Sequence, residues 1–290
     1  MTDAAPAAPT GRSRGAVWSW LALGVVVALV GTLVLVKVVG GSSEPSAPTT
    51  HTQTSSVVLG QLTSIPSSVY DQIGVASVSV PIVMPIVLGG AHPLLFTGSN
   101  GARLPGIVFL GTEYCSFCAA ERWPLIAALS RFGTFSTLYN MDSTATDFAP
   151  STPSFTFYGS QYKSRLVVFR PYEVRSDVPS AHGYAALMSL PSRERRIVRA
   201  FDATMQYPFV DIGNVVIVRQ AAFSPETLAG ATRDSIAGAL SDPASPLTQA
   251  IVSSANVLTA SICAADGERP TRVCTSEGVK AADAALHLAA

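Results

Sequence analysis

Cys115 and Cys118 form a CxxC motif and are the residues of this chain best suited to covalent chemistry. An apolar run at residues 107–110 precedes them and is typical of a buried strand, and a helical pattern follows them as far as Leu129. The two thiols are therefore expected at the N-terminus of a helix, where backbone N–H groups and the helix dipole stabilise a thiolate. Because a thiolate is the species that attacks a disulfide, this context predicts thiol–disulfide exchange.

In this hypothesis Cys115 is the exposed nucleophile and Cys118 is the resolving thiol. The alternative is a structural disulfide, or an inactive site, on the same scaffold. Zinc fits less well, because a structural zinc site needs four ligands and the sequence has neither a second CxxC nor a close pair of histidines. Disulfide exchange needs no separate cofactor, so none is predicted.

The order of strand, CxxC and helix resembles the thioredoxin superfamily. Pro124, six residues beyond Cys118, lies close to where thioredoxins have a proline that kinks the helix. The resemblance implies that Pro208, which opens an apolar segment at 208–212, is a cis-proline facing the two cysteines. Tyr114 and the Ser-Phe pair between the cysteines depart from the usual thioredoxin residues. The resemblance therefore implies no particular redox potential.

Longer phrases resemble the family catalogued as domain of unknown function 929: E-Y-C-S-F-C-A-A-E-R-W, L-S-R-F-G-T-F, Y-P-F-V-D-I-G-N and the terminal I-C…V-C. This likeness covers most of residues 57–275 and implies no activity. From the two resemblances together, we expect the chain to be an α/β thioredoxin-like protein. Its central mixed sheet would be flanked by helices, with a β insertion and extra C-terminal helices, and one N-terminal transmembrane helix would precede it.

Residues 16–36 contain no charged side chain and are long enough to cross a bilayer as one helix. Arg12 and Arg14 precede this run and Lys37 follows it, so the positive-inside rule places the N-terminus in the cytoplasm. A cleaved signal peptide is the alternative, but its apolar region is usually shorter, roughly 7–15 residues. The predicted organisation is a cytoplasmic tail (1–15), a transmembrane anchor (16–39), a flexible linker (40–56) and a thioredoxin-like extracytoplasmic domain (57–290).

Charge and location together limit the expected partners. Lys plus Arg and Asp plus Glu are balanced at 19 each, which gives no indication of nucleic-acid binding. A single-pass protein of the cell membrane with an exported CxxC is expected to act on exported or envelope proteins that carry thiols or disulfides.

The four cysteines all lie in the part of the chain expected to be exported, where two disulfides are compatible with an oxidising compartment. Four cysteines allow three pairings, and the spacing favours Cys115 with Cys118 and Cys263 with Cys274. For Cys263 and Cys274 we expect a structural disulfide that closes a small loop.

Further expectations concern the surroundings of the motif. Segments 155–158 and 166–169 are expected to pair as an inserted pair of strands, and Ser224-Pro225 is expected to start a helix that runs to about Leu240. Glu113 is a candidate for proton handling, although a solvated loop glutamate is the simpler interpretation. Asp211 is expected to flank a hairpin formed by 209–212 and 215–218.

Overall fold

The computed structural model describes residues 51–75 and 79–288. The predicted tail, the predicted anchor and most of the predicted linker lie outside the described residues. Eight α-helices are formed in the described part: α1 (Ser56–Thr63), α2 (Ser67–Ile73), α3 (Ser116–Leu129), α4 (Ser192–Phe201), α5 (Arg233–Ala239), α6 (Pro246–Asp266), α7 (Thr271–Cys274) and α8 (Glu277–Leu286).

The strands form one mixed sheet and two hairpins. The strands are β1 (Ile86–Val87), β2 (Leu95–Thr97), β3 (Arg103–Gly111), β4 (Gly133–Asp142), β5 (Pro153–Ser164), β6 (Val168–Glu173), β7 (Arg175–Ser180), β8 (Gly183–Ala186), β9 (Phe209–Ile212) and β10 (Val216–Val218).

Strand β3 is the centre of the mixed sheet. It pairs in parallel with β6 on one side and antiparallel with β9 on the other, and β10 and β1 continue the sheet beyond β9. The short strand β2 pairs with the N-terminal part of β3. Residues 107–110 of β3 are fully buried, because this strand is covered on both faces. The expected mixed α/β architecture is thus confirmed.

Helices α3 and α6 pack against each other on the face of β3 that presents Ile107 and Phe109. Trp123 of α3 is fully buried in this core, and its indole N–H donates to the carbonyl of Pro153 over 2.9 Å. Among the described helices, α6 alone is long and apolar enough to span a bilayer, but most of it is buried inside the domain.

The expected pairing of 155–158 with 166–169 is wrong. Residues 155–158 belong to β5, which forms a hairpin with β4 outside the central sheet. Residues 168–169 begin β6, which joins the central sheet beside β3. The local alternation predicted both strands correctly, but their partners are set by contacts distant in sequence.

Residues 51–55 were expected to be linker, yet they pack along β4. The backbone N–H of Thr54 donates to the carbonyl of Leu138 over 2.9 Å, and the N–H of Asn140 donates to Thr52 over 2.8 Å. Thr54 is 5% exposed. This end of the predicted linker therefore belongs to the folded domain.

The helix expected from Ser224 to about Leu240 is broken in two. Ser224 does cap a turn of 3₁₀-helix, Pro225–Leu228, by accepting the N–H of Glu226. Gly230 then takes a φ of +74°, which a helix cannot continue through. A second capping residue, Thr232, starts α5.

The expected bridge between Cys263 and Cys274 is present, with the two Cα atoms 5.7 Å apart. It ties the end of α6 to α7 across a sequence separation of 11 residues. Loop-closure entropy for a ring of this size is about 3 kcal/mol.

Replacing both Cys263 and Cys274 with serine should therefore lower the free energy of unfolding by about 3 kcal/mol, because the unfolded chain gains conformational freedom. Urea denaturation of the purified domain measures this loss, and thiol titration should show that Cys115 and Cys118 keep their reactivity. An unchanged denaturation midpoint would contradict a stabilising role for the bridge.

Candidate functional site

Cys115 and Cys118 lie together at the start of α3, but both thiols are free, so the pairing that the spacing favoured is not formed in the structure. Cys115 is the N-cap residue, and its Sγ accepts the backbone N–H of Cys118 at an N···S distance of 3.3 Å. Cys115 is 8% exposed and Cys118 is fully buried. Cys115 is therefore nearly buried and is not the exposed nucleophile that was expected, although it is the less buried of the two cysteines.

The surroundings shift the pKa values of the two thiols in opposite directions. The side-chain hydrogen bond with Cys118, helped by the backbone N–H of the same residue, lowers the pKa of Cys115, against the opposing effect of burial. Burial raises the pKa of Cys118 well above its ordinary value, and the hydrogen bond with Cys115 adds to this. The first thiolate to form is thus that of Cys115, which is the order that a nucleophile and a resolving thiol require.

Gly111 allows the end of β3 to approach the buried sulfur. A Cβ at this position would lie 3.3 Å from Cys118 Sγ and 2.5 Å from the ring of Phe109. Any larger residue at Gly111 would have to displace the ring or the sulfur. The glycine before the motif therefore has a packing role at the site.

A buried ion pair lies beneath the motif. Arg122, one helical turn after Cys118, donates from Nε to Glu173 Oε1 over 2.9 Å and from Nη2 to Oε2 over 2.7 Å. The same Nη2 donates to the carbonyl of Thr112 over 2.8 Å. Both charged side chains are fully buried. The guanidinium lowers the pKa of both cysteines, although more weakly than the largest causes do.

Nothing in the sequence pattern predicts this ion pair. Glu173 is 51 residues from Arg122 and ends β6, whose pairing with β3 brings it under α3. An isolated arginine in a helix is more often solvated than buried. Only the parallel pairing of β3 and β6 reveals its partner.

Glu113 is not the solvated loop residue that was the simpler expectation. Its side chain is fully buried, and His51 Nε2 lies 3.0 Å from Oε1. Neither carboxylate oxygen receives a hydrogen bond of good geometry from the described residues. The interaction with Glu113 raises the pKa of His51. A carboxylate two residues before Cys115 is thus held out of water by a histidine from the N-terminal end of the domain.

Two aromatic pairs flank Cys115. Tyr114 stacks on Tyr184 of β8 with ring centroids 4.2 Å apart, and Phe117 stacks on Phe148 at 5.3 Å. Phe148 is 59% exposed. The β7–β8 hairpin that supplies Tyr184 was not predicted, because its short strands lack a clear apolar alternation.

A polar groove of about 720 Å³ runs beside Tyr184 and the end of β4. Its lining includes His51, Thr52, Thr144, Asp177 and Tyr184. Burial raises the pKa of Asp177. Since Thr144 donates its N–H to the carbonyl of Tyr114, the groove lies next to the CxxC turn.

Pro208 lies at the start of β9, and the Tyr207–Pro208 peptide bond is cis. The next residue, Phe209, pairs with Leu110 near the end of β3, so Pro208 is close to the turn that carries the cysteines. Burial is the main cause that raises the pKa of Tyr207, and negative charge on Cys118 contributes as well. The structure thus brings Pro208 to the same end of the sheet as the CxxC pair.

Asp211 takes the hairpin role expected for it. Its Oδ1 accepts the N–H of Asn214 over 2.8 Å in the turn between β9 and β10. Burial raises the pKa of this carboxyl to about 7. Its register partner in β3 is Val108, two residues from Leu110, so it faces away from α3.

The family model described as "Domain of unknown function (DUF929)" matches residues 99–179, which confirms the resemblance to that family. The matched region runs from just before β3 to near the end of β7 and includes the CxxC motif, Arg122 and Glu173. Neither the curated proteins nor the solved structures gave a match.

Proposed function

We propose that this protein is a membrane-anchored, extracytoplasmic thiol–disulfide oxidoreductase of thioredoxin-like fold. The observation that carries the proposal is the pair of free thiols at the start of α3, of which Cys115 is 8% exposed with a lowered pKa and Cys118 is fully buried with a raised pKa. This asymmetry is what stepwise disulfide exchange uses.

The order of strands supports the thioredoxin-like assignment. Side by side in the sheet, the strands lie in the order β10, β9, β3, β6. Strand β3, which leads into the CxxC, therefore has an antiparallel neighbour, β9, and a parallel neighbour, β6. This arrangement resembles the sheet expected for that superfamily, with the β4–β5 hairpin as the insertion and α6 to α8 as the C-terminal helices.

The proposed reaction transfers two electrons. The Cys115 thiolate attacks one sulfur of a substrate disulfide, which forms a Cys115–substrate bond and releases the other substrate sulfur as a thiolate that takes up a proton. Cys118 then loses its proton and attacks Cys115 Sγ, which forms the Cys115–Cys118 disulfide and releases the second substrate thiol. The substrate is reduced and the domain oxidised, and the reverse sequence oxidises a dithiol.

The location follows from the N-terminal sequence. The uncharged run at 16–36 with arginines before it supports a single anchor, with the domain outside the cytoplasmic membrane. The substrates would then be exported or envelope proteins with thiols or disulfides. No nucleic acid and no cofactor is proposed.

A second candidate is a non-catalytic envelope scaffold in which the CxxC is a fixed disulfide. The low exposure of Cys115, 8%, favours it, because a nucleophile has to reach a substrate sulfur. The two candidates differ in whether Cys115 forms a mixed disulfide.

Replacing Cys118 with alanine should make mixed disulfides on Cys115 accumulate, because the resolving thiol is gone while the nucleophile remains. Glutathione disulfide is the probe, and the adduct is detected by the mass of the intact exported domain. In the full-length protein, adducts with envelope proteins should appear in the membrane fraction.

The matched control is Cys115→Ala, which leaves only the buried Cys118 and should form the adduct far more slowly. Equal and slow reaction of both variants would reject the oxidoreductase proposal and leave the scaffold as the preferred function.

A further inference from the structure

The loop between β4 and β5 closes over the start of α3. In this cap loop, residues 144–149, Thr144 donates its N–H to the carbonyl of Tyr114 over 3.0 Å, and Ala149 donates to Ser116 Oγ over 3.4 Å. The stack of Phe148 on Phe117 adds an apolar contact. The cap loop therefore contacts the residues on both sides of Cys115.

Asp147 brings a negative charge to the same place. Its Oδ2 accepts the backbone N–H of Ser116 over 2.5 Å, and Ser116 is the first residue of α3. Backbone N–H groups at this end of a helix have no partner within the helix and attract anions. The carboxylate of Asp147 thus occupies part of the electrostatic site that would otherwise favour a thiolate on Cys115.

We propose that Asp147 is a positioning residue of the CxxC pair: its carboxylate partly neutralises the helix N-terminus beside Cys115 and shifts the pair towards the role of a reductant. This inference rests on the proposed disulfide exchange. It also assigns the CxxC pair a preferred direction of electron transfer, which the two residues between the cysteines do not indicate.

Charged and titratable groups from several elements act on Cys115. Cys118, through its side-chain hydrogen bond, is the main cause that lowers the pKa of Cys115, and Arg122 contributes in the same direction. The charge of Asp147 opposes them and raises this pKa. Burial is the main cause that raises the pKa of Tyr114 and of Tyr207, and negative charge on the cysteines raises both pKa values further.

The preferred direction of electron transfer follows from the stability of the Cys115 thiolate. A stabilised thiolate favours the reduced form of a CxxC pair and makes its disulfide a strong oxidant. A carboxylate beside the thiolate destabilises that form, so the dithiol gives up its electrons more readily. With Asp147 charged, the domain is expected to reduce substrate disulfides in preference to forming them.

The test replaces Asp147 with asparagine, which keeps the size of the side chain and an oxygen for the Ser116 N–H but removes the charge. The equilibrium with a glutathione redox buffer should shift by about two- to tenfold towards the reduced domain, where tenfold corresponds to about 30 mV. In a Cys118→Ala background, ultraviolet thiolate absorbance should show a lower pKa of Cys115 for the Asp147→Asn protein.

Asp142→Asn is the matched control. Asp142 ends β4 just before the cap loop and pairs with Arg233, so its loss should leave both measurements unchanged. If Asp147→Asn disturbs the loop, Asp147→Ser removes the charge and keeps a hydroxyl acceptor.

An unchanged or opposite shift in both Asp147 variants overturns the inference. The thiolate titration is independent of disulfide exchange. Failure of Cys118→Ala to react with glutathione disulfide would reject the proposed function, while a lowered pKa in the Asp147 variants would still establish the electrostatic role of Asp147.

Discussion

Replacing Glu173 with glutamine should lower the free energy of unfolding by about 3–5 kcal/mol, because it leaves the Arg122 guanidinium buried without a counter-charge. Glu173 receives two hydrogen bonds from Arg122, at 2.9 Å and 2.7 Å, and its Oε1 also accepts the N–H of Phe157 over 3.2 Å. Because both side chains are fully buried, water cannot replace the lost carboxylate. Guanidinium chloride denaturation of the purified domain measures the loss.

Two control variants separate charge from packing. Glu277→Gln breaks an exposed ion pair with Lys280. The side chain of Glu277 is 77% exposed and that of Lys280 is 57% exposed, so this variant should change the free energy of unfolding little. Replacing Arg122 with methionine and Glu173 with leucine together removes both charges and should recover most of the stability. If Glu173→Gln is as mild as Glu277→Gln, the buried pair is not a determinant of stability.

The Arg122–Glu173 ion pair connects the stability of the fold with the CxxC site. Arg122 donates to the carbonyl of Thr112, and its positive charge lowers the pKa of Cys118. Cys118 has to lose its proton in the resolving step, and burial opposes this. The positive charge of Arg122 therefore favours the thiolate of Cys118, the less acidic thiol, in the resolving step.

Sequence reasoning succeeded where the signal is local. The buried strand β3, the start of α3 at the CxxC and the hairpin of β9 with β10 each follow from a few adjacent residues. The Cys263–Cys274 bridge joins residues close in sequence and was predicted from spacing alone.

The groups around the CxxC pair that the sequence did not predict depend on contacts between distant residues. His51 reaches Glu113 only because residues 51–55 pack on β4, and Asp147 reaches Ser116 only because the β4–β5 hairpin folds its loop back over α3. No periodicity or spacing encodes such contacts. The chemistry-bearing cysteines were thus identifiable, while the charged residues near them, the Arg122–Glu173 pair and Asp147, were not.

The stability of the domain should fall as the pH rises from about 5 to about 8. Burial raises the pKa of Glu121 to about 8, of Asp211 to about 7 and of Asp266 to about 6. The interaction with Glu113 raises the pKa of His51. In this range the folded domain binds more protons than the unfolded chain does, so stability decreases as the pH increases.

Glu121 should contribute most to this dependence. It lies on α3, fully buried, with Oε2 accepting the N–H of Ala222 over 2.8 Å and Oε1 without a partner among the described residues. Because the ordinary value is 4.5, the raised pKa corresponds to on the order of 4 kcal/mol of stability lost between the two pKa values.

Glu121→Gln removes the titration and keeps an acceptor for the N–H of Ala222. We expect this variant to be more stable than the natural domain at pH 8, by up to about 4 kcal/mol, and about equally stable near pH 4.5. Urea denaturation at several pH values measures both differences. The exposed Glu226, in the 3₁₀ turn four residues after Ala222, provides the control Glu226→Gln, which should leave the slope with pH unchanged.

The pH slope distinguishes an electrostatic effect from a change in packing. A packing change at position 121 would alter stability equally at pH 4.5 and pH 8, whereas the loss of a buried charge acts only where the carboxyl would ionise. An equal change at both pH values would therefore show that Glu121 is not the source of the pH dependence. The buried carboxyls Asp211 and Asp266 would then be the next residues to replace.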